Sequence, residues 1–134
     1  MKIAIIGLGY VGNAMHSFFK DHYDVVFFDP AKKGSATKSE INDCDLGVVC
    51  VPTPMASDRS CDLSIVEETI GWLDTPLILL KSTVELGTTE RLKKKTGKSI
   101  VFSPEYCGES TYWSPYDFHT DVKETPFFIF GGDE

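Results

Sequence analysis

Three glycines, spaced Gly7-x-Gly9-x-x-Gly12, are the residues here whose type and spacing point most directly to chemistry. They follow a short apolar run, 2–6. They precede Val11, Ala14, Met15, Phe18 and Phe19, which repeat at the spacing of an amphipathic helix. A strand, a glycine turn and a helix in that order form a dinucleotide-binding unit, and each glycine has its own task. Gly7 permits the tight turn, Gly9 lets a pyrophosphate approach the backbone, and Gly12 lets the helix pack close to the strand. The amides at the helix N-terminus, with its partial positive charge, then hold the phosphates. The plain alternative is a glycine-rich turn with no ligand. A second apolar run, 25–28, ends at Asp29, near the roughly 20-residue spacing at which such units set an acidic residue against the adenosine ribose. A carboxylate there repels a 2′-phosphate, so the expected cofactor is NAD rather than NADP. Lys32 and Lys33 soften that preference, and Asp29-Pro30 also reads as a simple turn.

Further candidates follow the later apolar runs. After 46–51 comes Val51-Pro52-Thr53-Pro54, a proline-stiffened loop that offers a hydroxyl. After 76–81 comes Lys81-Ser82-Thr83-Val84, leading to Gly87 and Thr88. Helix capping accounts for Thr88 but not for Lys81-Ser82-Thr83. After 99–103 comes Ser103-Pro104-Glu105, with Glu109 four residues on; the two carboxylates share a face if that segment is helical. Glutamates beside a cofactor are candidate general bases, although most glutamates are solvated surface.

The elements that must position these groups alternate along the chain. Six strands are expected, at 2–6, 25–28, 46–51, 76–81, 99–103 and 126–130, each apolar throughout like a parallel strand covered on both faces. Helices are expected at 10–21, from Ser64 onward behind a Ser64-x-x-Glu67 capping box, and at 88–96 with Gly97 as its stop. The pattern is α/β, a doubly wound and mostly parallel six-stranded sheet of Rossmann type. The 30–45 connection is too short for a full crossover helix, and 104–125 has no clear period.

Composition narrows the function classes. The 134 residues make one domain with a real core. A net charge of −7 argues against nucleic acid as a partner, because phosphate backbones need a basic face, yet it leaves a nucleotide held by backbone amides possible. The short N-terminal apolar run reads as neither a signal peptide nor a membrane span. Cys44, Cys50, Cys61 and Cys107 contain no CxxC pair, so no metal is expected, and the thiols read as reduced and cytoplasmic.

Taken together, GLGYVG, the aspartate after the second strand, CVPTP, DLS at 62–64, KSTVELGTT at 81–89, SPEYCGES at 103–110 and IFGG at 129–132 resemble, in order, the NAD-binding domain of the UDP-glucose/GDP-mannose dehydrogenase family. The resemblance is strongest to UDP-glucose 6-dehydrogenases and covers essentially the whole chain. It implies oxidation of a sugar-nucleotide primary alcohol to a carboxylate with two NAD reduced. It further implies that Gly7, Gly9, Tyr10, Val11, Gly12 and Asp29 hold NAD, with Lys32 or Lys33 near the adenosine phosphate region. Val51, Pro52, Thr53, Ser82 and Thr83 would line the nicotinamide side. Thr83 would position a water, Glu105 would be the general base that hydrolyses a thioester, and Glu109 would be the second candidate for that role.

The sequence also departs from the family pattern. The family's linking helix and C-terminal substrate domain, which carries the nucleophilic cysteine, are not among these residues, and none of the four cysteines sits in that motif. Glu85-Leu86 stands where the family commonly has prolines. The expectation is therefore an NAD-binding domain, inactive alone, that acts on a UDP-sugar only with a completing domain from a second polypeptide or a homodimer. The alternatives are a stand-alone nucleotide-binding regulatory module, a subunit of a split enzyme, or a small reductase of the 6-phosphogluconate type.

Overall fold

The computed structural model describes residues 1–105, 122–125 and 127–132. Five short strands form one sheet: β1 (Lys2–Ile6), β2 (Asp24–Phe28), β3 (Leu46–Val49), β4 (Leu77–Leu80) and β5 (Ile100–Phe102). Their order is β2-β1-β3-β4-β5, and every neighbouring pair is parallel. The strands are apolar on both faces because both faces are covered. Ile3, Ile5, Val48 and Leu79 pack beneath α1 (Tyr10–Phe19), against Met15, Val11 and Phe18. Ala4, Ile6, Val49, Ile78, Leu80 and Ile100 point the other way. They meet Ile41 of α2 (Lys38–Asn42), Val66 and Ile70 of α3 (Ser64–Trp72), and Leu92 of α4 (Thr88–Thr96).

The chain steps from β1 to β2 over one face and returns past β1 to β3 over the other. Strand order therefore reverses between β1 and β3, where α/β sheets of this kind open a ligand crevice at the strands' carboxyl ends. The register makes that end level, because Phe28, Ile6, Val49, Leu80 and Phe102 are successive partners in one row.

Two local expectations change. The run at 126–130 does not add a sixth strand. Among the described residues of that run, Phe127, Ile129 and Phe130 are exposed, and the half-buried Phe128 spends its ring on Phe18, 5.6 Å away. Among the described residues beyond β5, only Gly131 pairs with the sheet, exchanging two backbone hydrogen bonds of 2.8 Å with Phe102 in an antiparallel bridge. The Ser64-x-x-Glu67 box does not form: Ser64 is already inside α3, its N–H donates to Asp62 Oδ1 at 2.9 Å, and Glu67 turns to Arg91 and Lys95 of α4. The capping box belongs instead to Thr37 and Glu40, where Thr37 N–H donates to Glu40 Oε2 at 2.7 Å and Glu40 N–H to Thr37 Oγ1 at 3.3 Å. That box opens α2, and five helical residues are all that the short 30–45 connection holds. By contrast, α4 ends as expected, with Gly97 in the left-handed region (φ 70°) and its N–H on Lys93 O at 2.8 Å. No described helix is long and apolar enough to cross a membrane.

Candidate functional site

With the strand ends level, the next residue of each strand falls on one edge, and four of them extend the ladder by one bond. Gly7 N–H donates to Phe28 O (2.9 Å), Cys50 N–H to Ile6 O (2.7 Å), Lys81 N–H to Val49 O (2.9 Å) and Ser103 N–H to Leu80 O (3.0 Å). Asp29 completes the edge beyond β2. Above it lies a cleft of about 470 Å³. One side is made by Gly7, Gly9, Tyr10, Val11 and Asp29, the other by Cys50 to Thr53, Lys81 to Thr83, and Glu105.

The three glycines differ in what surrounds them. Gly7 has φ +87°, and a Cβ there would sit 2.8 Å from Cys50 O. At Gly12 a Cβ would lie 1.9 Å from Gly7 O, nearer than the 3.5 Å to the Ile5 side chain of β1. The tightest constraint there comes from the turn's own carbonyl, and contact with the strand is secondary. At Gly9 nothing lies within 4 Å, so the backbone is open to a ligand. Asn13 was not anticipated from the sequence. Its Nδ2 donates to Leu8 O (3.0 Å) and Gly9 O (2.7 Å), binding the loop's carbonyls to α1. The α1 ladder begins with Asn13 N–H on Gly9 O at 3.0 Å, so the amides before it find no acceptor within the helix. An open glycine at a helix N-terminus is the cradle a pyrophosphate requires.

Asp29 is fixed by the turn it serves. Its Oδ2 accepts from Leu8 N–H at 2.8 Å and its Oδ1 from Ala31 N–H at 3.0 Å, while its own N–H donates to Ser35 Oγ at 2.9 Å. A carboxylate has about four lone-pair sites, so two remain for ribose hydroxyls. On the β2 side of Asp29 the cleft continues into a slot of about 300 Å³ between Phe28, Val51, Pro52, Ile65 and Trp72. Trp72 stands edge-on to Phe28 (5.2 Å) and under Lys38 Nζ (4.8 Å). Lys33 is exposed and lines neither space; Lys38 is the lysine at that end. An apolar slot with a polar rim suits a planar base. Neither Trp72 nor Lys38 belongs to a local motif, and only the fold brings them to β2.

At the β4 and β5 ends the groups are side chains. Ser82 is buried, and its hydroxyl donates to Val51 O at 2.7 Å, tying the β3 exit to the β4 exit. Thr83 is exposed and Thr53 half-buried on the cleft wall. Cys61 fastens the neighbouring loop from outside, its Sγ donating to Thr83 O at 3.7 Å and its N–H to Glu85 Oε1 at 3.2 Å. Glu105 reaches the cleft through an ion pair with Lys81, Nζ to Oε2 being 3.2 Å. Lys81 Nζ also donates to Pro104 O at 3.0 Å and Ser103 Oγ at 3.3 Å. Sequence reasoning named Lys81-Ser82-Thr83 together but gave roles only to the two hydroxyls. The lysine's place directly after an apolar strand was the available signal, since a cation there is buried unless it has left the sheet. Burial also pushes the Cys50 thiol up to about 12, Glu105 adding to that and Lys81 opposing it, so Cys50 is a poor nucleophile at neutral pH. Cys107 and Glu109 lie outside the described residues.

A parallel sheet that reverses between β1 and β3, with an open glycine turn, a carboxylate on the second strand and an apolar slot beside it, defines a dinucleotide-binding domain of the dehydrogenase type. The chain belongs to the UDP-glucose/GDP-mannose dehydrogenase family, whose NAD-binding-domain sequence model matches residues 32–122. The UDP-glucose 6-dehydrogenase of Streptococcus pneumoniae is 30% identical, over 82% of this chain and 37% of its own length. The UDP-N-acetyl-D-mannosamine dehydrogenase of Methanococcus aeolicus is 28% identical, over 81% and 34%. This chain thus spans about a third of the length of these curated relatives. A UDP-glucose dehydrogenase of Pyrobaculum islandicum superposes with a TM-score of 0.75 over 99% of this chain and 41% of that one, at 22% identity. A GDP-mannose dehydrogenase of Pseudomonas aeruginosa gives 0.74 over 100% and 41%, also at 22%. These two structures share the fold.

Proposed function

We propose that this chain is the cofactor-binding domain of a cytoplasmic sugar-nucleotide dehydrogenase, which oxidises the C6 alcohol of a UDP-sugar to a carboxylate once a completing domain supplies the rest of the site. The observation that supports it best is the single cleft that gathers the glycine turn, Asp29, Thr53, Thr83 and Glu105. In this reading Gly7, Gly9 and the first turn of α1 receive the pyrophosphate, with Tyr10 and Val11 beside it and Gly12 keeping the turn closed. Asp29 takes the adenosine ribose, and the slot by Trp72 takes the base. In the same reading the nicotinamide end lies over β3, β4 and β5, beside Val51, Pro52, Thr53 and Thr83. Bound NAD supplies a two-electron hydride acceptor, and taking a primary alcohol to a carboxylate uses two of them and one water.

Thr83 orients that water and Glu105 accepts its proton, with Lys81 holding the carboxylate in place. Ser82 acts through the backbone, because its hydroxyl is already bonded to Val51 O. Glu109 is proposed as the second carboxylate. The nucleophilic thiol that the chemistry also needs is not furnished by Cys50. The 134-residue chain alone is therefore expected to form no NADH from UDP-glucose, with absorbance at the NADH band as the assay. Turnover by the lone chain that disappears in Cys107→Ser would contradict this division of labour and make Cys107 the nucleophile. NAD binding with no turnover under any completing domain would favour a regulatory nucleotide-binding module.

A further inference from the structure

We propose that the buried Lys81–Glu105 pair sets the relative affinity of the cleft for oxidised and reduced NAD, with Lys81 as the positioning residue and Glu105 as the charge presented to the ligand. This rests on the proposed reading that the nicotinamide end lies over β4 and β5.

The Lys81 side chain is 1% exposed and that of Glu105 13%. Among the described residues, the three hydrogen-bond or ionic partners of the ammonium come from Ser103–Glu105, the stretch leaving β5, and the Phe128 ring lies 5.9 Å away. Lys81 therefore anchors the β5 exit to the end of β4 and holds Glu105 at the cleft wall. Packing alone does not call for a charge at this depth, since an isolated ion is costly there and an apolar side chain of similar size is not. Once paired, the two opposite charges offset each other at this edge of the cleft. The field of the pair reaches the cleft lining, because the two charges move the titration of the Cys50 thiol in opposite directions. The oxidised nicotinamide ring is a cation and the reduced ring is neutral. A net charge created at this edge acts on the first and spares the second. A clamp with a purely mechanical role would weaken both forms alike.

The experiment measures Kd for NAD+ and for NADH on the full 134-residue chain, NADH by its fluorescence and NAD+ by competition. Wild type is compared with Glu105→Gln, Lys81→Met, Lys81→Arg and the double variant Lys81→Met/Glu105→Gln. Glu105→Gln leaves a buried cation and is expected to raise Kd(NAD+)/Kd(NADH) on the order of tenfold, the scale of roughly one uncompensated charge in a partly screened site. Lys81→Met removes the positive charge of the pair and should lower the ratio by a similar factor. Lys81→Arg and the double variant should keep it near the wild-type value. If Lys81→Met does not fold, the contrast between Glu105→Gln and Lys81→Arg decides the matter. A ratio that stays constant while both affinities fall together, or that moves the same way in Glu105→Gln and Lys81→Met, overturns the inference. A wild type that binds neither form overturns the reading of the site and the inference with it. A wild type that binds both forms with an unresponsive ratio overturns the inference alone.

Discussion

At its β1 end the cleft is made of backbone, and at its β4 and β5 ends it is made of side chains. The glycine turn offers the amides of a helix N-terminus, with Asn13 and Asp29 bracing the loop from behind. The far end offers Thr83 and a carboxylate held by a buried lysine. A backbone surface reads phosphate, which every dinucleotide carries, and tolerates almost no side-chain change at its tightest point. A side-chain surface acts on the reacting group and is tuned by charge. The two ends should therefore fail differently when altered, the first by losing shape and the second by losing electrostatic balance.

The largest effect is expected at Gly12. A Cβ 1.9 Å from Gly7 O has no room, so Gly12→Val should cost roughly 3 kcal/mol or more of stability and abolish NAD binding, as urea denaturation and calorimetry would show. A stable, binding-competent variant would mean that the turn is more plastic than the comparison of the two ends requires. Next comes Asp29→Ala, which strips acceptors from the Leu8 and Ala31 amides. It should cost about 1–3 kcal/mol and remove the preference for NAD over NADP. Wild type that binds NADP equally well or better would sink the assignment of Asp29 to the ribose.

The smallest effect is expected at an ion pair away from the cleft. Glu67 on α3 faces Arg91 and Lys95 of α4, and those hydrogen bonds hold its carboxyl below the ordinary 4.5. A depressed folded-state value stabilises above the unfolded pKa, and that contribution is lost as pH falls through the folded one. Being partly solvated, the network is worth only about 0–1 kcal/mol. Glu67→Gln should therefore shift the denaturation midpoint slightly at pH 7, less in high salt, and not at all once the pH has fallen below the depressed folded-state value. A large, salt-insensitive loss would contradict the contrast between this exposed network and the buried Lys81–Glu105 pair.

How legible each end was in the sequence follows the same division. The glycine spacing, the following amphipathic stripe and Asp29 are local patterns whose physical reasons act within one βα unit, and the structure places Gly7, Gly9 and Asp29 on the cleft, with Gly12 closing the turn behind them and the stripe packing α1 onto the sheet. Strand positions were legible to within one or two residues because Ile, Val and Leu runs mark buried parallel strands. The run at 127–130 shows the limit of that signal, since apolar residues packing on a helix look the same as residues pairing with a sheet. Thr37-x-x-Glu40 and Ser64-x-x-Glu67 carry equivalent capping signals, and tertiary contacts with α4 decide that the second is not used. Lys81, Lys38 and Trp72 reach the cleft only through the order of strands, which no local period encodes.

The central claim is that the open glycine at position 9 admits a dinucleotide pyrophosphate to the N-terminus of α1. Gly9→Val tests it most directly, because nothing within 4 Å of that position crowds the new side chain. As an N-cap change it should cost no more than about 1 kcal/mol of stability. Calorimetric titration with NAD is predicted to show saturable binding to the wild-type chain and none to a Gly9→Val variant whose denaturation curve confirms that it is folded. Unchanged NAD affinity in that folded variant would contradict the account.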